Sequence, residues 1–351
     1  CIRDSNKAFI IVVVLLSASV SGYELYQRYN AEEEPRFQWP DKVDIPCNPD
    51  STEFDCEVYA QVSSTPVKSL QHPTNNEIWI AALNGIITSW DGTTMTEIGN
   101  LSNVISNCHN EQGLLGFEFT HDFSSSQEIL LSYTENADCE GGSNLSGMVI
   151  ASVEVVDNKI NMNSLVELRT IAKENRNHNG GNLHSLNDGT YLWSLGDGGG
   201  SSDPYGNGQN VHNPLGTIQY FSYGDKMIEP VFDNYGNDTD YVLHHGLRNP
   251  WKFDTDNQGR LWIADVGQYC FEEVNVVPML TQSNFGWSER EGMHIYDPSD
   301  DCSSPPDALT DSSLTDPIIE YPHVGGNCSI TGGFWMDCLL YTSDAADDGL
   351  S

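Results

Sequence analysis

Residues 174–200 read ENRNHNGGNLHSLNDGTYLWSLGDGGG. Two short apolar runs, 183–186 and 191–195, flank Asn187-Asp188-Gly189. Such a polar, Gly-terminated triplet between strand-like runs signals a hairpin, because Asn, Asp and Gly tolerate the left-handed backbone of a tight turn. The hairpin would carry His178 and Asn179 at one end and Asp197 at the other, so three polar side chains converge on one rim of a sheet. Alone, this is as good a description of a well-made turn as of a site.

The surrounding chain repeats the pattern. Strand-like runs at 78–82 and 86–90 are separated by Leu83-Asn84-Gly85, and others follow at 114–119, 128–133 and 148–156. None has the length or 3.6-residue period of a long amphipathic helix. Segments 117–133, 183–195 and 251–264 each place a strand before an Asp/Asn-rich turn and a second strand after it. Phe119, Ser185 and Phe253 take comparable positions, roughly 66 to 68 residues apart. Regular propeller blades repeat at about 40–45 residues, so this period requires long loops, which inserts such as 196–214 supply. The pattern predicts an all-β protein with functional loops on one face, a propeller in preference to a sandwich.

Composition narrows the partners. The chain has 351 residues, 38% of them hydrophobic, enough for a sizeable core. Fifteen Lys and Arg against 51 Asp and Glu give a formal charge of −36. That balance excludes non-specific nucleic-acid binding and basic-patch attachment to membranes. It also makes each cation matter to any anionic cofactor. Arg3 and Lys7 precede an apolar run at 8–16 and small residues to 22, so 1–22 is expected to be a secretory signal peptide, with a retained signal anchor as the alternative. The expected location is secreted or extracellular, with membrane attachment only through that anchor. Residues 23–76 read as an extended lead-in.

Nine cysteines in an exported chain imply disulfides. Cys47 and Cys56 could close a local loop, while Cys108, Cys139, Cys270, Cys302 and Cys328 are dispersed and their pairing is not readable from spacing. No CxxC pair or Cys/His cluster points to zinc, and no motif points to a nucleotide or haem. Asn100, Asn144, Asn237 and Asn327 head glycosylation sequons. Residues 338–351 break the preceding pattern, and CLLYTSDAADD resembles a translated sequencing adapter, so this tail, with Cys338, is expected to be non-native. Residues 77–337 are then the expected propeller domain, incomplete at its C-terminal end.

A family resemblance follows from a series of motifs. These are Gly113-Leu114-Leu115-Gly116-Phe117 with His121-Asp122-Phe123, His178-Asn179-Gly180-Gly181-Asn182-Leu183, Gly196-Asp197-Gly198-Gly199 and Gly246-Leu247-Arg248-Asn249-Pro250. Leu261-Trp262, Asp265-Val266-Gly267-Gln268, Glu272-Glu273-Val274-Asn275 and Asn284-Phe285-Gly286-Trp287 complete it. In this order they resemble the glucose/sorbosone dehydrogenase family, whose founding members are soluble quinoprotein sugar dehydrogenases. The resemblance implies a six-bladed β-propeller using pyrroloquinoline quinone and calcium. The Asn177 to Gly181 motif and the Gly246 motif are particularly similar to hedgehog-interacting-protein-like proteins, which implies an extracellular binding role instead.

What the resemblance implies can be stated residue by residue. His178 matches the catalytic histidine, an imidazole able to take a hydroxyl proton near neutral pH. Asp197 matches a carboxylate that orients the sugar or His178. Arg248 and Asn249 match cofactor contacts, a guanidinium suiting a carboxylate and an amide suiting a quinone or carboxylate oxygen. Glu111 falls at a further cofactor position, although a one-residue shift would substitute Gln112. Gly267 and Gln268 match the dipeptide whose backbone carbonyls hold calcium, an ion that favours oxygen ligands. The quinoproteins have Gly-Pro there, and further basic contacts of the enzymes lie beyond this chain.

The expected function is therefore oxidation of a sugar or aldose, His178 removing a hydroxyl proton while hydride passes to the quinone. The alternative is a catalytically silent interaction protein with an extracellular protein or glycan as partner. A purely glycan-binding propeller is a third reading without diagnostic chemistry.

Overall fold

The computed structural model describes residues 60–335 except 63, 137–145, 232–240, 300–301, 304, 308–310 and 325–328. The expected signal segment, most of the lead-in, Cys47, Cys56, Cys139, Cys328, the sequons at Asn144, Asn237 and Asn327, and the tail with Cys338 lie outside the described residues. Of the sequons, Asn100 is described, exposed at a strand end.

The strands form antiparallel meanders. The first sheet is β1 (Pro66–Gln71), β2 (Ile78–Ala82), β3 (Ile86–Trp90) and β4 (Met95–Asn100). The second contains β5 (Leu114–Phe119), β6 (Glu128–Thr134), β7 (Met148–Val156), β8 (Lys159–Ile160) and β9 (Val166–Ile171). The third contains β10 (Leu183–Ser185), β11 (Thr190–Leu195), β12 (Thr217–Gly224), β13 (Met227–Pro230) and β14 (Val242–His245). The fourth is built on β15 (Pro250–Thr255), β16 (Arg260–Asp265) and β17 (Phe271–Pro278). A hairpin of β18 (Arg290–Glu291) and β19 (His294–Ile295) precedes β20 (Ile319–Pro322), which pairs with β17. A short α-helix, α1 (Phe123–Ser126), and a 3-10 turn at Met162–Ser164 interrupt the strands of the described residues. Four blade-like sheets in sequence are a β-propeller-like arrangement.

Packing explains why the central strands are apolar on both faces. The pleat sends neighbouring side chains to opposite sides, so Leu130 and Leu131 of β6 enter different cores. Leu131 packs with Trp79 and Ile87 of the first sheet, and Leu130 with Trp193 and Phe221 of the third. Leu192 and Trp193 of β11 divide in the same way, Leu192 joining Phe253 and Ile263 of the fourth sheet. Each sheet thus buries a face against the next, as propeller blades do.

The inner strands are also laced by charge. Buried Lys68 of β1 pairs with Glu118 of β5 at 2.9 Å and donates to the Leu183 carbonyl in β10. Lys252 of β15 donates to the Leu115 carbonyl at 3.2 Å. Buried ammonium groups require such acceptors, because an unpaired one costs several kcal/mol. Lys68 also explains why β1 escapes a hydrophobic-pattern search: its strand lies upstream of Glu77, where the propeller was expected to begin.

The opening hairpin is present, with Leu183 opposite Trp193 and Ser185 opposite Tyr191. Asn187 (φ 62°) and Gly189 (φ 92°) supply its left-handed turn. The sequence repeats correspond to β5–β6, β10–β11 and β15–β16, the first strand pairs of the last three sheets. Of the dispersed cysteines, Cys270 and Cys302 are joined, tying the start of β17 to the loop after β19. No helix among the described residues is long and apolar enough to cross a membrane.

Candidate functional site

The loops leaving β4, β9, β11, β14 and β16 bring the expected residues together. The Asp197 backbone N–H donates to the Arg248 carbonyl at 2.8 Å, so the third and fourth sheets meet at this point. Close approach requires Gly196, where a Cβ would lie 2.2 Å from the His178 carbonyl oxygen.

His178 and Asp197 form the centre. His178 Nδ1 lies 2.7 Å from Asp197 Oδ1, and both side chains are buried. His178 has φ 53°, a left-handed conformation unfavourable for a residue with a Cβ. Its N–H donates to Glu111 Oε2 at 2.7 Å, and the Asn179 amide donates to the Glu111 carbonyl at 2.9 Å, so Glu111, in the loop after β4, holds the strained segment. Gln112, its neighbour, is buried and accepts from Ser106 at 3.1 Å.

Asp197 is saturated. Gly199 N–H donates to Oδ1 at 2.8 Å, and Trp287 Nε1 donates to Oδ2 at 2.9 Å. Burial pushes the Asp197 carboxyl up, but the charge and hydrogen bond of His178, the charge of Arg248 and the Gly199 N–H outweigh it and hold the group below its ordinary range. An ionised Asp197 accepts the Nδ1 proton of His178, so in the neutral imidazole Nε2 is the acceptor nitrogen.

Arg248 and Asn249 are anchored through their backbone N–H groups to Asp265 at 2.8 and 2.6 Å. Asn249 Oδ1 accepts from Gly180, binding this turn to the His178 loop at 3.1 Å. The Arg248 guanidinium donates twice to Gln268 Oε1, at 3.2 and 3.1 Å, and once to the Val266 carbonyl at 3.1 Å. Opposite Asp265 on the neighbouring strand stands Glu273. Burial pushes both carboxyls up, and for Glu273 the charge of Asp265 adds to the effect.

The Gly267-Gln268 turn is gripped from one side by a single carboxylate. Glu291 Oε1 accepts four successive backbone N–H groups, from Gln268, Tyr269, Cys270 and Phe271, at 2.6, 2.7, 2.9 and 3.2 Å. In a trans peptide the C=O points opposite to the following N–H. With the Gln268 and Tyr269 N–H groups directed at Glu291, the Gly267 and Gln268 carbonyls face the other side of the turn together. That is an oxygen-donor arrangement suited to calcium. Proline at 268 would lack one of the four donors, so this turn is stiffened by Glu291 where the quinoproteins have a proline. No cluster of three His, Cys, Asp or Glu side chains capable of holding a metal occurs among the described residues.

Two contributors escape sequence reasoning. Glu291 sits outside every quoted motif. Lys173 is buried and donates to the Asn177 carbonyl at 2.9 Å and to Asn179 Oδ1, directly behind His178. Burial pulls its ammonium down to about 8, against the charges of Glu111, Asp197 and Glu174. The scarcity of cations in the chain was the available clue to Lys173.

Four antiparallel meanders packed face to face, with polar loops gathered between the third and fourth, define a β-propeller-like protein. The chain belongs to the glucose/sorbosone dehydrogenase family, whose model matches residues 64–333. It is 31% identical over 184 residues to the HIPL1 protein of Arabidopsis thaliana, covering 45% of this chain and 26% of that protein. The HIPL2 protein of the same plant is also 31% identical, over 180 residues, 44% of this chain and 25% of that protein. The matched region thus spans about a quarter of the length of these relatives. The PQQ-bound aldose sugar dehydrogenase of Streptomyces coelicolor has a similar fold, with a TM-score of 0.58 and 21% identity over 76% of this chain and 70% of that one. The apo soluble aldose sugar dehydrogenase of Escherichia coli gives 0.56 and 19% over 73% and 71%.

Proposed function

We propose that this chain is the sugar-oxidising part of a secreted, six-bladed quinoprotein-type propeller, acting on an aldose. The observation that carries the reading is the 2.7 Å contact between His178 Nδ1 and buried Asp197. With that contact made, His178 Nε2 removes the proton of the sugar hydroxyl, and the Asp197 carboxylate stabilises the imidazolium that results. The Gly199 N–H helps keep the carboxylate ionised, and Trp287 aims it. Arg248, Asn249 and Glu111 are the residues that would hold pyrroloquinoline quinone, and the Gly267 and Gln268 carbonyls those that would hold calcium. When bound, the quinone supplies the hydride acceptor, polarised by the ion.

Calorimetry on the full-length protein tests this reading. Calcium-dependent quinone binding, with dye-linked oxidation of aldoses lost in His178→Asn, is expected. Absence of binding at high concentrations of both would sink it.

One observation favours a second reading, that of an extracellular interaction module without turnover. Gln268 already satisfies two donors of Arg248, as a structural arginine would be satisfied. In that case partner binding survives His178→Asn, and no oxidation follows addition of quinone and calcium.

A further inference from the structure

Three aromatic rings lead outward from Asp197. Trp287, bonded to the carboxylate at 2.9 Å, is buried. Tyr296 meets it nearly edge to face, with centroids 4.9 Å apart. Tyr269 lies almost parallel to Tyr296, inclined by 8° at 6.4 Å, and is 45% exposed.

The outer rings are fixed at both ends. Ser201 Oγ lies 2.6 Å from the Tyr269 hydroxyl and Ser202 Oγ 2.6 Å from that of Tyr296. The Tyr269 backbone belongs to the turn gripped by Glu291, and its neighbour Cys270 is tied to Cys302. Gln268 joins the two walls, accepting from Ser202 N–H at 3.2 Å as well as from Arg248. An exposed tyrosine held this way has already lost its rotamer freedom, so little ordering cost remains when a ligand covers it. The apolar C–H face of a pyranose packs on such a ring while its hydroxyls reach the polar rim.

We infer that Tyr269 and Tyr296 form a second sugar subsite, which makes the substrate the terminal residue of a neutral oligosaccharide. This rests on the proposed oxidation at His178. Neutrality follows from the charge balance: Glu291 accepts from the Tyr269 N–H, the chain carries a formal charge of −36, which repels uronic acids, and Arg248, the cation beside Trp287, is already bonded to Gln268 and the Val266 carbonyl.

The test is calorimetry on the intact chain with neutral trisaccharides of α- and β-linked glucose, galactose and mannose, each beside its monosaccharide. At least one trisaccharide is expected to bind about tenfold more tightly than its own monosaccharide. Tyr269→Ala, a change at an exposed position, should erase that advantage, and Tyr269→Phe should retain it. Equal binding of every pair, or an advantage untouched by Tyr269→Ala, overturns the subsite. The two proposals fail separately. Aldose oxidation without any chain-length preference removes the subsite and leaves the oxidation reading. A Tyr269-dependent preference without oxidation under quinone and calcium removes the oxidation reading, and the rings remain a glycan-binding site.

Discussion

Gln268 Oε1 receives two donors of the Arg248 guanidinium, Nε at 3.2 Å and Nη2 at 3.1 Å. If Arg248 holds the carboxylate of an acidic cofactor as proposed, the cofactor has to displace this amide oxygen. A neutral acceptor can be displaced at modest cost, whereas a carboxylate would hold the guanidinium as a charge-assisted pair. Gln268→Glu is therefore expected to weaken calcium-dependent quinone binding at least tenfold in calorimetry. Unchanged affinity would mean that Arg248 does not contact the cofactor.

Asp197 has three donors on its carboxylate, from His178, Gly199 and Trp287. Asparagine offers one oxygen to these donors and adds an N–H where an acceptor stood. Asp197→Asn should lower kcat for sugar oxidation by about 10³–10⁴, through loss of the imidazole orientation and of the countercharge. It should also destabilise the fold by about 1–3 kcal/mol through an unpaired buried donor. Because the folded-state pKa is depressed, the stabilisation by Asp197 is present above the ordinary aspartate range and lost as pH falls through the folded value. Chemical denaturation at pH 7 and at about pH 3 measures both: the gap between wild type and variant should shrink in acid.

How much of this was legible in the sequence depends on the range of the contact. The 183–195 hairpin is a local matter of Asn187, Gly189 and alternating apolar residues, and its register follows from them. His178, Asp197, Arg248 and Asn249 were legible as motifs, and the structure brings all four to one rim. Lys68 was not, since its partners Glu118 and Leu183 lie in other sheets, 50 and 115 residues away. The Cys270–Cys302 pairing and the hold of Glu291 on the 268–271 turn are likewise set by loop closure in three dimensions, which no hydrophobic period encodes.

Glu291→Ala would leave four backbone N–H groups of the 268–271 turn without their shared acceptor. A loss of several kcal/mol is expected, at about 1–3 kcal/mol for each buried donor left unpaired. If the Gly267 and Gln268 carbonyls hold calcium, Glu291→Gln, which keeps an acceptor oxygen of the same reach, should fold and yet bind the ion more weakly. Thermal melts with and without calcium separate the effects: the wild type should gain stability with added ion by mass action, and the variant should gain less. An equal gain in both would dissociate this turn from the ion.

Lys173 gives a prediction with the opposite pH sense to Asp197. Its ammonium, ordinarily near 10.5, is pulled to about 8 by burial. Above 10.5 the group is neutral in both folded and unfolded chains and burial is free of charge cost. Between about 8 and 10.5 the unfolded chain keeps a proton that the folded chain has released, so this group makes stability rise with pH. Below about 8 both states are charged and the full penalty, roughly 3 kcal/mol at 1.36 kcal/mol per pKa unit, is in force. Lys173→Met removes that penalty together with the bonds to Asn177 and Asn179 that hold the strained His178 segment. Wild-type stability measured against the variant should therefore climb between pH 8 and 10 in denaturant titrations, while the variant oxidises sugar more slowly at every pH. A flat difference across that interval would show that Lys173 titrates as it does in the unfolded chain, and its place behind His178 would then be structural alone.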